Sequence, residues 1–155
     1  MRDDQQILSV LLRHGVRFVI VGGHAVIFHG FLRATEDVDV VWLRSLDSER
    51  SLYAALSELE ARYIGNDIDP ATGIERAYAV SPSYIQAHHL MMLSTRLGFL
   101  DLFDYVPGFP QQDPAELMPS SVEFGGLRYA SLDHLRKMKQ AAGRAKDQLD
   151  LENLP

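Results

Sequence analysis

Two aspartates one residue apart, Asp37 and Asp39, lie in the run Glu36-Asp-Val-Asp-Val-Val-Trp42. Val38, Val40 and Val41 are β-branched and favour an extended chain. Side chains two apart on a strand share a face, so both carboxylates point the same way, with Cα atoms about 6–7 Å apart. Like charges on one face of an apolar strand repel each other and resist burial. Such a strand either lies at a solvated edge or holds a cation between its acids, and Mg²⁺ suits carboxylate oxygens. For an isolated Asp-x-Asp the solvated edge is the ordinary outcome. The residues upstream shift that balance.

Arg17-Phe-Val-Ile-Val21 reads as a short buried strand bounded by Gly22-Gly23, and His24-Ala-Val-Ile-Phe-His29 as one or two helical turns stopped by Gly30. A strand, a glycine turn and a helix start leave backbone N–H groups free for an anion, and glycine lets phosphate approach closely. A plain turn is the commoner use of such a glycine pair. The chain has no Gly-x-x-x-x-Gly-Lys-Ser/Thr and no Gly-x-Gly-x-x-Gly. A phosphate here would therefore rest on two glycines and a metal, not on a P-loop.

Gly22-Gly23 followed by Arg33-Ala-Thr-Glu-Asp37-Val-Asp39 resembles the signature of the nucleotidyltransferase fold, the DNA polymerase β superfamily. Within it the chain resembles the small bacterial nucleotidyltransferase-like proteins related to type IV toxin–antitoxin toxins, where a Gly-Gly form with Arg-x-Thr-x-Asp-x-Asp occurs. Many active members of the superfamily place Gly-Ser at this turn; here the turn is Gly22-Gly23, followed by His24. Lys139-Gln-Ala-Ala-Gly-Arg144-Ala-Lys146-Asp147-Gln-Leu-Asp150 is similar to the Lys-x-x-Ala, Arg, Asp-x-x-Asp run of those toxin-like enzymes. The resemblance spans about Arg17 to Leu154 and is most specific over residues 22–39.

The resemblance implies an α/β (α+β) nucleotidyltransferase fold: a mixed sheet, helices mainly on one face, and C-terminal helices. It implies a metal-dependent enzyme that moves an NMP from an NTP to a hydroxyl of RNA (tRNA among them), a protein or a small molecule. The alternative is a non-catalytic, nucleotide-binding or antitoxin-like member of the same fold. Asp37 and Asp39 would hold two Mg²⁺, joined by a third carboxylate on a later strand. Gly22, Gly23, Lys139, Arg144, Asp147 and Arg33 would meet or support the phosphates, and an antitoxin partner is expected.

In Gly98-Phe-Leu-Asp101-Leu-Phe-Asp104 the two acids fall on opposite strand faces, so only one can join the pair. Asp101, inside the strand between leucines, is the favoured one. Arg33 has an equal reading as a loop-anchoring ion pair to Glu36 or Asp37. Lys139 and Asp147 read equally well as parts of an amphipathic helix whose apolar stripe is Leu132, Leu135 and Met138.

At 155 residues the chain reads as one domain, with a core of about 17–105 and a C-terminal hairpin and helices over 121–155. No cysteine is present, so thiolate metal sites and cysteine nucleophiles are excluded. The polar Met1–Gln6 start and the lack of any apolar run of about 20 residues predict a cytoplasmic protein without a membrane span. A net charge of −6 speaks against extended duplex-DNA binding and for a small nucleotide with metal. Basic residues cluster only at Arg136, Lys137, Lys139, Arg144 and Lys146.

The element pattern predicts a helix capped by Asp3 or Asp4 and ended by Gly15, strands at 17–21 and 38–42, and a helix from Asp47 or Ser48 to about Arg62. A polar loop is expected at 65–74, strands at 76–80, 88–95 and 99–105, and a mobile loop at 106–119. Gly125-Gly126 marks a hairpin. His88 and His89 would face opposite sides of a strand, and Trp42, Tyr84 and Tyr105 read as core.

Overall fold

The computed structural model describes residues 3–155; Met1 and Arg2, which open the polar N-terminal run, lie outside the described residues. The first half runs α1 (Asp4–Arg13), β1 (Phe18–Val21), α2 (Gly22–Phe28), β2 (Asp37–Trp42) and α3 (Leu46–Glu58). A central stretch follows with β3 (Arg62–Ile68), β4 (Glu75–Ala79), α4 (Pro82–Ala87), β5 (Leu90–Thr95) and β6 (Gly98–Phe103). The chain ends in β7 (Val122–Phe124), β8 (Leu127–Tyr129), α5 (Leu132–Ala142) and α6 (Ala145–Asn153).

All eight strands form one mixed sheet in the order β4-β3-β5-β6-β2-β1-β8-β7. β1 is antiparallel to β2, whereas β2 is parallel to β6 and β1 to β8. The alternation in β2 sorts its side chains by face. Val38, Val40 and Trp42 join Phe18, Ile20, Leu100 and Leu102 in a large core beneath α1 and α3. Val41 points the other way, into a second core with Val19, Val21, Val106, Leu117 and Met138. The C-terminal helices and the 106–118 segment thus cover one end of the carboxylate-bearing face, and Asp37 and Asp39 sit in the part left open.

Local chemistry explains the boundaries. Asp3 caps α1 by accepting from the Gln6 N–H at 3.1 Å. Ser45, not Asp47 or Ser48, caps α3: its hydroxyl accepts from the Ser48 N–H at 3.0 Å, while the Ser45 N–H donates to the Ser48 hydroxyl at 2.6 Å. α3 stops at Glu58, short of the expected Arg62, because Glu60 turns left-handed (φ 52°). Arg62 then begins a strand. The stretch read as a polar loop from residue 65 is largely a β3–β4 hairpin, closed by a turn in which Asp69 accepts from the Ala71 N–H at 2.9 Å. Its polar Asn66 and Asp67 decorate the exposed end of β3, next to the edge strand β4, which masked the pattern.

Other expectations change as well. Residues 82–87 are helical, with Ser81 as cap and Pro82 at the first position. β5 begins at Leu90, so His88 and His89 precede it. The 106–119 stretch, expected to be mobile, is pinned by the buried Val106 and Leu117 and carries a 3-10 turn at Pro114–Leu117. Trp42 is core, whereas Tyr84 lies half-buried between the rings of Tyr63 and His88, at 3.9 and 4.0 Å. The Gly125-Gly126 hairpin forms as expected.

Candidate active site

The parallel pairing of β2 with β6 sets Asp39 directly beside Asp101. Asp37, two residues before Asp39, shares their face. Asp37, Asp39 and Asp101 each offer a carboxylate oxygen, all within 4.8 Å of one another. Asp104 falls elsewhere. It accepts from Arg44 at 2.7 Å and from His89 at 2.9 Å, holding the ends of β2 and β6 together. The electrostatic stress falls on Asp39. Burial, followed by the charges of Asp101 and Asp37, pushes its carboxyl up to about 7 against a weaker opposing pull from Lys139. Burial and Asp37 also raise Asp101. Among the described residues no cation forms an ion pair with these three partly buried acids, and their oxygen-only donor set fits a hard divalent cation.

The triad floors a cleft of about 250 Å³ whose other wall carries Lys139, Arg144 and Lys146. A larger hollow of about 610 Å³ lies between α1 and the β7–β8 hairpin, but it holds no acidic cluster. Chemistry rather than volume therefore selects the smaller cleft. Lys139 on α5 is 6% exposed, yet its ammonium reaches Asp147 at 3.2 Å and Asp150 at 3.0 Å, both fully buried on α6. Asp147 also accepts from the Arg144 side chain at 2.7 Å and backbone N–H at 3.1 Å. Burial alone would raise Asp147; the Arg144 and Lys139 bonds outweigh it and hold the carboxyl below its ordinary value. Lys146 is exposed, and among the described residues no carboxylate pairs with it.

Arg33 pairs with neither Glu36 nor Asp37. Its guanidinium grips Asp150 in a two-point bond, Nε to Oδ1 at 2.7 Å and Nη2 to Oδ2 at 2.9 Å. Asp150 therefore joins the loop leading into β2 to both C-terminal helices. The Asp-x-x-Asp spacing contains Asp150, but only its partners reveal that it is the hub. The two glycines have steric tasks. A Cβ on Gly22, whose φ is +65°, would land on the Asp39 carboxylate, and one on Gly23 would strike Thr35. Gly22 lines the cleft, whereas Gly23 is buried behind it. His24 turns away to Asp4, at 2.9 Å, and His29 meets the Ala130 carbonyl oxygen. In the basic cluster, Arg136 donates to the Leu154 carbonyl and Lys137 pairs with Asp133, so neither joins the cleft wall.

No protein-family profile and no curated protein matches the chain. Solved structures do match. A candidate nucleotidyltransferase from Thermotoga maritima superposes over 96% of this chain and 87% of its own, with a TM-score of 0.57 at 15% identity. The antibiotic-resistance factor ANT(2″)-Ia superposes over 96% and 78%, with a TM-score of 0.56 at 15% identity. The same factor in complex with adenylyl-2″-tobramycin gives 0.55 at 16% identity, over 96% of this chain and 83% of that one. The chain spans 62% of the length of JHP933 from Helicobacter pylori, at 14% identity and a TM-score of 0.48. The fold is the nucleotidyltransferase fold. Among the described residues no helix is long and apolar enough to cross a membrane.

Proposed function

We propose that the chain is a metal-dependent nucleotidyltransferase that moves a nucleoside monophosphate from an NTP to a hydroxyl acceptor. One observation carries the reading: three carboxylates within 4.8 Å of one another face Lys139, Arg144 and Lys146 across one cleft. An acidic triad opposite a cationic wall suits a metal-chelated triphosphate, and the nucleotidyltransferase fold agrees with it. ANT(2″)-Ia, which shares the fold, is known in complex with adenylyl-2″-tobramycin, a compound of the kind such a transfer would yield.

Asp37, Asp39 and Asp101 are the metal ligands in this reading. Their oxygens would hold divalent metal, which would supply charge neutralisation for the phosphates and acidity for the acceptor hydroxyl. Asp101, beside Asp39 on β6, would take the hydroxyl proton. Lys146 and Arg144 neutralise the phosphates, and Lys139 is held for the same task by Asp147 and Asp150. Gly22 leaves room for the Asp39 carboxylate, and Gly23 lets Thr35 pack behind it. Arg33 acts on the phosphates through α6, which it ties down at Asp150. The toxin-like kinship, an antitoxin partner and a cytoplasmic setting belong to the proposal. The kinship is supported by the Lys139–Asp150 run, in which Lys139, Arg144, Asp147 and Asp150 engage one network.

The test is a melting-temperature panel of the four NTPs with and without Mg²⁺, on wild type and Asp39→Asn. At least one NTP should stabilise wild type only when Mg²⁺ is present, and the mutant should lose that gain. Equal stabilisation of both proteins, or none of wild type, overturns the reading.

A further inference from the structure

The carboxylate-bearing face continues past the triad across three more strands and stays exposed. The register pairs Asp39 with Asp101 and Asp101 with Met92. It pairs Asp37 with Phe99, Phe99 with Ser94, Ser94 with Arg62, and Arg62 with Ala79. Ile64, two residues beyond Arg62 in antiparallel register, falls beside Met92 and opposite Ala77. Paired residues share a face, so one side of the sheet carries two files leading away from the metal ligands. At about 4.8 Å per strand the platform reaches roughly 14 Å from Asp101 to β4. Its large side chains are open to solvent: Ile64 and Met92 are each 65% exposed and Phe99 51%.

The platform lies across the triad from the cationic wall. Phosphates belong on the side of Lys139, Arg144 and Lys146, so the acceptor comes from the side of Phe99, Met92 and Ile64. The platform files carry one charge beyond the triad, Arg62, which forms no ion pair among the described residues. A nucleic-acid backbone needs several cations, and a polycationic small molecule needs several acids. A contiguous exposed apolar strip beside a reactive centre suits a protein surface instead.

We propose that the acceptor hydroxyl is that of a serine, threonine or tyrosine in an apolar segment of a protein, docked on the β3–β5–β6 platform with one acidic residue against Arg62. The inference rests on the nucleotidyltransferase reading and names the acceptor class for that site. The hydroxyl oxygen attacks the α-phosphorus and forms a phosphodiester. The bond from the α-phosphorus to the bridging oxygen breaks, pyrophosphate leaves with its electron pair, and the proton passes to Asp101.

The test supplies wild type, Ile64→Ser and Phe99→Ser with Mg²⁺ and α-labelled NTP. Three probes are offered: synthetic peptides carrying Ser, Thr or Tyr between leucines and valines with one nearby aspartate, total tRNA, and tobramycin. Label should enter the peptides at least tenfold above tRNA and tobramycin. Each variant should raise the peptide KM tenfold or more, while Ile64→Ser leaves the MgNTP-induced melting shift unchanged. Label on tRNA or tobramycin alone, or peptide labelling that ignores both variants, overturns the proposal. Wild type that gains no stability from any MgNTP refutes the nucleotidyltransferase reading and this one with it. Stabilised wild type that labels no peptide refutes only this one.

Discussion

Replacing Asp150 with asparagine removes the charge at the centre of the C-terminal network while keeping the side-chain shape. The carboxylate is fully buried and accepts two bonds from Arg33, at 2.7 and 2.9 Å; the Lys139 ammonium lies 3.0 Å away. Breaking one side of a buried ion pair costs about 3–5 kcal/mol, because the partner is left charged and undersolvated. Two features pull the value to the lower end. Arg33 is 22% exposed and keeps some water, and Lys139 keeps Asp147 at 3.2 Å. Asp150→Asn should therefore cost about 3 kcal/mol, which at roughly 2–4 °C per kcal/mol lowers Tm by about 6–12 °C. Urea unfolding measures the loss directly. A double-mutant cycle with Arg33→Met isolates the pair, with an expected coupling of about 1–3 kcal/mol. A cost below about 0.5 kcal/mol, the scale of an ordinary surface change, or a coupling near zero would show that the two-point bond does not exist in solution.

In metal-free buffer the Asp39 carboxyl, raised to about 7, lends stability that is complete below its unfolded value and disappears as pH climbs through 7. Asp39→Asn should match wild type near pH 4 and exceed it by about 1–3 kcal/mol at pH 8, read by urea unfolding in EDTA; a mutant less stable at pH 8 contradicts the like-charge account. Gly22→Ala would push a Cβ into the Asp39 carboxylate, so it should abolish the MgNTP-induced melting shift, and a retained shift means that the carboxylate is not in that position. Lys146→Ala should weaken MgATP binding by about 1–2 kcal/mol and AMP binding far less, measured by titration calorimetry; equal effects on both would remove Lys146 from the triphosphate. Arg13 and His14 hold the Glu58 carboxyl down to about 2, so its contribution is present above the unfolded value and is lost as pH falls toward 2. Glu58→Gln should lower Tm at pH 7 and converge with wild type near pH 2, and a gap that persists in acid refutes the pairing.

The sequence by itself determined what short-range geometry controls. The two-residue period of a strand puts Asp37 and Asp39 on one face wherever that strand lies. Asp3 caps its helix, and Gly125-Gly126 turns its hairpin, through atoms a few residues away. Asp101 is preferred over Asp104 on sequence because an acid flanked by leucines inside a strand needs a reason to be there. The registers that give it one, and that lead Asp104 to Arg44, arise only when β6 lies parallel to β2.

Arg33 shows the limit most clearly. Nearby Glu36 and Asp37 were the local candidates, yet its partner is Asp150, 117 positions along the chain. The helix pattern of α3 was visible, but its end was not, and neither was the pairing that turns the polar residues after it into β3. The exposed platform is invisible for the same reason, since Met92, Ile64 and Phe99 become one surface only through pairing across separate strands. Dihedral preferences and caps act over a few residues and can be read along the chain. Ion pairs, shared faces and clefts depend on distances in space, and those are set only when the whole sheet closes.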